Sequence, residues 1–198
     1  MSAGPVAEGA LWLVRHGQTE WSASGRHTGS TDIPLTEQGE AEAEALGKLL
    51  AGHAFARVLT SPMRRAIETC RLAGFGDVAQ TTDDLREWDY GDYEGRKTVD
   101  IRKERPGWTL FDDGVPNGET AAQVGARADR VIATAVAAGG DVALFAHGHI
   151  LRVVAARWLA FAPEDGRRFG LDTATLSILD HEREVRVLRL WNQTGAVD

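Results

Sequence analysis

The sequence predicts an α/β fold, a three-layer α/β/α sandwich around a mostly parallel central sheet that a terminal hairpin makes mixed. Three observations lead there. Short apolar runs alternate with longer stretches of helical period, the pattern of strands separated by helices. Two of these runs, LWLV and DVALFA, stop abruptly at Arg15-His16-Gly17 and His147-Gly148-His149, as buried strands do when they deliver their last side chains to a pocket at the sheet's carboxyl edge. The final pair, TLSILDH and EVRVLRLW, alternates around a polar turn and reads as a hairpin.

In order, residues 1–9 are expected to be a loose tail ahead of a single domain over 10–198. Leu11 to Val14 form the first strand, and Gly17 to Thr31 a polar loop rich in Gly, Ser and Thr. A helix starts near Thr36, a capping residue, and carries AEAEALGKLL with its leucines on one face and its glutamates outward. Arg57 to Ser61 is the second strand, followed by a helix opening at Pro62, since proline suits a first turn; its free N–H groups suit an anion. Val78 to Thr81 is a short strand leading into the aromatic, acidic loop around Glu87. Lys97 to Arg105 is a short helix closed by Pro106, and DDGVPNGET a turn-rich connection. A long helix runs from Thr120 to about Ala138, Asp141 to Ala146 is a buried strand, and ILRVVAARWLA is the next helix.

Composition narrows the function. A chain of 198 residues, 43% hydrophobic and 26% charged, suits a soluble globular domain that hides roughly 70% of its extended surface. The formal net charge of -7 argues against nucleic acid and anionic membrane as partners, because the protein would repel the phosphates it had to attract. A phosphorylated ligand would then be small and gripped by a local cluster of arginines. Cys70 is the one cysteine, so no internal disulfide forms, and its apolar setting predicts an inert core thiol. MSAGPVAEGA has neither the basic start nor the apolar centre of a signal peptide. No run reaches the roughly 20 apolar residues of a membrane span, so a cytoplasmic setting is expected.

An arginine beside a histidine at a strand end suits phosphate chemistry: a guanidinium forks onto two phosphate oxygens, and a neutral imidazole attacks phosphorus. LWLVRHGQTEW, SPMRRAIET, LREWDYGDYEG and FAHGH, in this order, resemble the histidine phosphatase superfamily, also called the phosphoglycerate mutase-like family, from Leu11 to about Trp191. The resemblance implies that His16 is the nucleophile that becomes phosphorylated, that Arg15 and Arg65 grip the phosphate, that His147 is the second histidine and that Glu87 is the proton donor. Arg65 is chosen over Arg64, which is expected to be solvated, because the family's arginine directly precedes the alanine. Ser22, Thr28, Gly29, Tyr90, Gly148 and Arg152 complete the expected substrate-binding set, with Tyr90 open between a substrate contact and aromatic packing. No metal or other cofactor is implied. His149 is weighed as a binding residue and His27 as a rim residue; His53 and His181 are expected at the surface, and Asp89, Asp92 and Glu94 mostly as solvated loop charge.

The implied chemistry is self-consistent. Cations around His16 disfavour its protonated form; Arg15, Arg65 and a protonated His147 would neutralise the transferring oxygens, and positioning with electrostatics is most of phosphoryl-transfer catalysis. Glu87 must be protonated when the alkoxide leaves, and a nearby phosphate anion would raise its pKa toward that role. TEWSASGRHTGSTDIPLT, LREWDYGDYEG, NGET and FAHGHILR look closest to the branch with sedoheptulose-1,7-bisphosphatase and broad acid phosphatases. Two departures separate the chain from mutases: Ser22 stands where many carry asparagine, and the stretch from Glu87 to His147 is shorter than in cofactor-dependent mutases. A small-molecule phosphatase is therefore the leading reading, with a phosphoglycerate mutase and an inactive phosphate-binding scaffold as alternatives.

Overall fold

The computed structural model describes residues 9–195. Residues 1–8 of the expected tail lie outside that range.

The sheet has six strands: β1 (Leu11–Arg15), β2 (Arg57–Thr60), β3 (Ala79–Thr81), β4 (Val142–Ala146), β5 (Thr175–Glu182) and β6 (Val185–Thr194). Their spatial order is β3-β2-β4-β1-β5-β6. The first four run parallel, while β5 pairs antiparallel with both β1 and β6, so the sheet is mixed through its terminal hairpin.

Alternation along the two central strands separates the layers. Leu11 and Leu13 of β1 and Val142, Leu144 and Ala146 of β4 pack into one core, with helices α6 (Ala121–Val136) and α7 (Gly148–Trp158). Val14, Ala143 and Phe145 face the other core, with α2 (Glu37–Leu50) and α3 (Arg64–Leu72). Leu13, Leu144 and Phe145 are fully buried, each contributing roughly 1.5–3 kcal/mol of transfer free energy.

Several local features depart from the sequence expectations. The polar first loop contains a short helix, α1 (Glu20–Ser24), because Thr19 and Ser22 form a reciprocal capping box. Helix α3 opens at Arg64 and not at Pro62: Met63 is its N-cap in extended conformation, and the Arg64 amide is held by Asp32. Between α4 (Thr98–Glu104) and α6 lies one more turn, α5 (Leu110–Asp113), started by the Thr109 cap and anchored by buried Leu110 and Phe111. His53 is half-buried and paired with Asp141 at 2.8 Å, and His181 packs on Trp158, so neither is a free surface residue. Cys70 is buried, and burial pushes its thiol pKa up to about 12.

Candidate active site

The register of the central strands assembles the site. β1 and β4 align so that Arg15 lies opposite Ala146, and the ladder continues through His16 N–H to the Ala146 carbonyl at 3.0 Å. His16 and His147 therefore leave adjacent strands side by side, with ring centroids 5.1 Å apart and tilted edge to face. On the far side of β4, the Ser61 amide donates to the Phe145 carbonyl. That places the end of β2, and through it Arg65 in the first turn of α3, beside the same pair.

His16 is 5% exposed. Its Nδ1–H donates to the Gly17 carbonyl at 2.8 Å, which leaves Nε2 as the unprotonated nitrogen. Burial, with the charges of Arg65 and Arg15, lowers its pKa to about 3. Arg65 is fully buried yet well partnered: Nε donates to His147 Nδ1 at 3.1 Å, and its terminal nitrogens donate to the carbonyls of Thr28, Gly29 and Thr31. Arg15 donates to the Leu171 carbonyl while its buried Nε has no protein partner. Gly148 lies against that guanidinium, where a β-carbon would make an ordinary contact with Arg15 Cζ at 3.4 Å.

Two protonation states in the ligand-free protein follow from these contacts. His147 accepts from Arg65 at Nδ1 and lies 2.7 Å from Ser61 Oγ at Nε2. It is neutral rather than protonated, because burial, Arg65 and His16 hold its pKa well below the usual histidine value. Glu87, 8% exposed, is a carboxylate in the ligand-free protein. Burial favours its neutral form, but the backbone amides that donate to it, that of His149 among them, outweigh this and hold the pKa well below the ordinary range. The amides of Trp88 and Ile150 donate to Oε1 and that of His149 to Oε2, all at 3.0 Å. Two of those amides open α7, where the helix dipole also favours an anion.

The Glu87 loop is held from the opposite side by Arg127 of α6. Its guanidinium donates to the carbonyls of Asp84, Arg86 and Glu87 and pairs with Glu119 at 2.7 Å. Glu119 in turn accepts the Asp89 amide through its carboxylate and the Trp88 indole through its carbonyl.

Residues 11–194 match the histidine phosphatase superfamily (branch 1). The chain belongs to that superfamily. An acid phosphatase of Mycobacterium tuberculosis is 42% identical to this histidine phosphatase over 189 residues, 93% of each chain. The sedoheptulose 1,7-bisphosphatase of Saccharomyces cerevisiae is 40% identical over 179 residues, 74% of this chain and 66% of the yeast protein. A solved structure of a Mycobacterium tuberculosis open reading frame product superposes with a TM-score of 0.91 at 42% identity, covering 95% of this chain and 99% of that one. The fold of this histidine phosphatase is thus the α/β arrangement of its superfamily.

A pocket of about 240 Å³ opens over His16 and brings together Arg15, Ser22, Thr28, Glu87, Tyr90, Gly148 and Arg152. Ser22 and Thr28 use their hydroxyls locally, on the Thr19 and Arg26 carbonyls. Gly29 lies elsewhere: its carbonyl accepts from Arg65, its amide donates to Glu94, and it lines a neighbouring cavity behind Glu87. Tyr90 both packs and faces the pocket, buried with its hydroxyl 2.6 Å from His149 Nδ1. Arg64 is exposed. Glu94 is not merely solvated charge, since it binds the amides of Gly29 and Thr31.

His27 and Arg26 reach the pocket rim, joined by Thr98 from α4 and Leu171 from the loop before β5. Thr98 and Leu171 carry no local sequence signal, because only the fold brings them there. The Glu119–Arg127 pair did have one: NGET ends on the α6 cap, Thr120, and Arg127 lies eight residues beyond its glutamate.

Proposed function

We propose that this chain hydrolyses small phosphate monoesters, sugar phosphates and bisphosphates above all, through a phosphohistidine formed on His16. The observation that carries the reading is an unprotonated His16 Nε2 at the wall of a pocket shared with the Arg15 guanidinium, with the buried Arg65 charge close behind it. Arg15, with its unpartnered Nε, and Arg65 would hold the phosphoryl oxygens while Nε2 attacks phosphorus in line. Glu87 would protonate the leaving alkoxide and then deprotonate the water that cleaves the phosphohistidine. His147, neutral, accepts from Arg65 at Nδ1 and donates from Nε2 to Ser61 Oγ, and so orients the arginine. Ser22, Thr28, Tyr90, Gly148 and Arg152 would shape the substrate's binding face, and Gly29 would act through Arg65.

The acid phosphatase and sedoheptulose bisphosphatase relatives support hydrolysis of a small phosphorylated substrate. Ser22 and the short stretch between Glu87 and His147 favour hydrolysis over a mutase cycle, which must shelter a phosphoenzyme from water. An inactive scaffold would usually lose a site residue, and this chain keeps all five. The reading includes a cytoplasmic enzyme that needs no metal or other cofactor and does not bind nucleic acid or membrane; among the described residues no helix is long and apolar enough to cross a membrane.

The test is acid quench of the wild-type protein with a phosphate-labelled sugar phosphate in the presence of chelator. An acid-labile, base-stable phosphoenzyme is expected. Label on serine or aspartate, or loss of turnover with chelator, overturns the reading.

A further inference from the structure

Glu87 has almost no free capacity to carry a proton. Its Oε1 accepts two backbone amides and its Oε2 one, which fills three of the roughly four acceptor positions of a carboxylate. The remaining position is on Oε2. The ring nitrogen facing it is His149 Nδ1, 3.6 Å away. That nitrogen also lies 2.6 Å from the Tyr90 hydroxyl. Burial pushes the Tyr90 pKa well above its usual value, so the phenol keeps its proton and donates it to Nδ1. A carboxylate, an imidazole and a phenol thus form a chain along the wall of the reaction pocket.

We propose that His149 is the proton store of this site: its Nδ1 takes up a proton, passes it to Glu87 Oε2 as the ester bond breaks, and recovers it as water attacks the phosphohistidine, while the Tyr90 hydroxyl sets which partner Nδ1 faces. The proposal rests on the phosphatase reading above and deepens it.

At rest the phenol donates to Nδ1 and His149 is neutral. When Nδ1 is protonated, the phenol turns and accepts, and the imidazolium lies beside Oε2. In the first half-reaction the bond from His16 Nε2 to phosphorus forms and the ester P–O bond breaks. The one proton held on His149 Nδ1 moves to Glu87 Oε2 and on to the alkoxide in the same step, leaving Glu87 a carboxylate and His149 neutral. In the second half-reaction water oxygen bonds to phosphorus and the N–P bond breaks; the proton released by water returns through Glu87 to His149. The proton taken up from solvent on binding is released from His149 when the phosphate product leaves, so none is gained or lost over the cycle.

The surroundings suit a store that fills with substrate. Charged and titratable groups face His149 from Arg15 on β1, from Arg152 one turn along α7, from His27 in the first loop at 6.2 Å between ring centroids, and from Glu87 and Tyr90 themselves. The rings of Phe111 and Trp88 lie 5.6 and 6.5 Å away. Burial lowers the His149 pKa first, against the pull of Glu87, and Arg152 and Arg15 lower it further. A phosphate dianion entering between those arginines offsets their charge, so proton uptake accompanies binding.

His149→Gln keeps the amide that holds Glu87 but cannot carry the proton; Tyr90→Phe removes the phenol that holds the imidazole neutral. Both variants and the wild type are assayed across pH on a sugar monophosphate and on p-nitrophenyl phosphate, whose leaving group needs little protonation. For His149→Gln, kcat on the sugar phosphate should fall roughly 10- to 100-fold, with a clearly smaller loss on p-nitrophenyl phosphate. The alkaline limb of kcat on the sugar phosphate should move to lower pH in His149→Gln and to higher pH in Tyr90→Phe. Equal losses on both esters with an unmoved limb in His149→Gln would make His149 a structural support only and overturn the proposal, whether or not Tyr90→Phe folds. Wild-type protein inactive on both esters would overturn the phosphatase reading itself.

Discussion

In the inner half of the pocket, His16, Arg15 and His147 leave the ends of two adjacent strands, and Arg65 is clamped by three carbonyls and an imidazole. In the outer half, Arg26, His27, Thr98 and Arg152 come from a loop, the start of a short helix and the first turns of α7. Arg26 is exposed, and Arg152 donates from Nε to the Gly166 carbonyl, with its guanidinium resting 4.8 Å from the Phe111 ring. A side chain fixed by a sheet ladder cannot adapt to its ligand, whereas one on a loop can. The contrast teaches that reaction type and substrate choice are held by different parts of the molecule and should respond separately to mutation.

The largest effect should come from the inner half. His16→Ala is expected to abolish turnover of every ester, because the neighbouring histidine, His147, has both ring nitrogens engaged by Arg65 and Ser61; residual turnover near the wild-type level in a purified variant would break the division at its root. Next comes Glu87→Gln, with kcat on alkyl phosphates falling on the order of 10² to 10⁴ and a smaller loss on p-nitrophenyl phosphate. Parallel losses on both would move the acid role to another group, with Asp89 the next to substitute.

Arg152→Ala sharpens the comparison from the outer side. If the second phosphate of a sugar bisphosphate meets this guanidinium, the variant should lose about tenfold to a hundredfold of the kcat/KM preference for bisphosphate over monophosphate, the worth of one charge-assisted hydrogen bond. Turnover of small monophosphates should change far less. A preference that survives would shift attention to Arg26 and His27.

The smallest effect is on stability. His16 and His27 have pKa values lowered to about 3 and about 4, in both cases chiefly by burial. An unfolded histidine titrates near 6.5, so below that pH the unfolded chain binds protons that the folded one refuses. Stability therefore stands in full above pH 6.5 and is lost as pH falls toward 3, by up to about 1.4 kcal/mol per pH unit for each group. Thermal unfolding followed from pH 7 to pH 4 should show Tm falling in that window. A His27→Gln variant should flatten the slope with little change in the inner site; an unchanged slope would assign the acid sensitivity elsewhere.

What could be read from the chain divides along similar lines. The strands and main helices were legible because alternation and helical period record burial directly, as with Leu13, Val14 and Leu144. The inner site was legible because each member ends a strand or opens a helix within a short motif. Thr98 and Leu171 were not, since their place in the pocket depends on loop paths that no local pattern encodes. Nor were the protonation states: neutral His147 follows from Arg65 Nε lying 3.1 Å from its Nδ1, and ionised Glu87 from three amides, two of them more than sixty residues along the chain. Helix α1 was hidden in a Ser- and Gly-rich stretch, and only the Thr19–Ser22 box distinguishes it from loop.

Glu87 is suspended between two helices: its backbone hangs from α6 through Arg127, and its carboxylate is tethered to the opening amides of α7. The acid's reach toward the ester oxygen is therefore set by the spacing of those helices, which no residue in the pocket controls. Gly125 on α6 lies so close to Pro163 that a β-carbon there would come within 2.5 Å of the proline ring. A methyl group at that contact, far from any phosphate, would act as a wedge, displacing one anchor of the suspension while the strand-borne nucleophile stayed where it was.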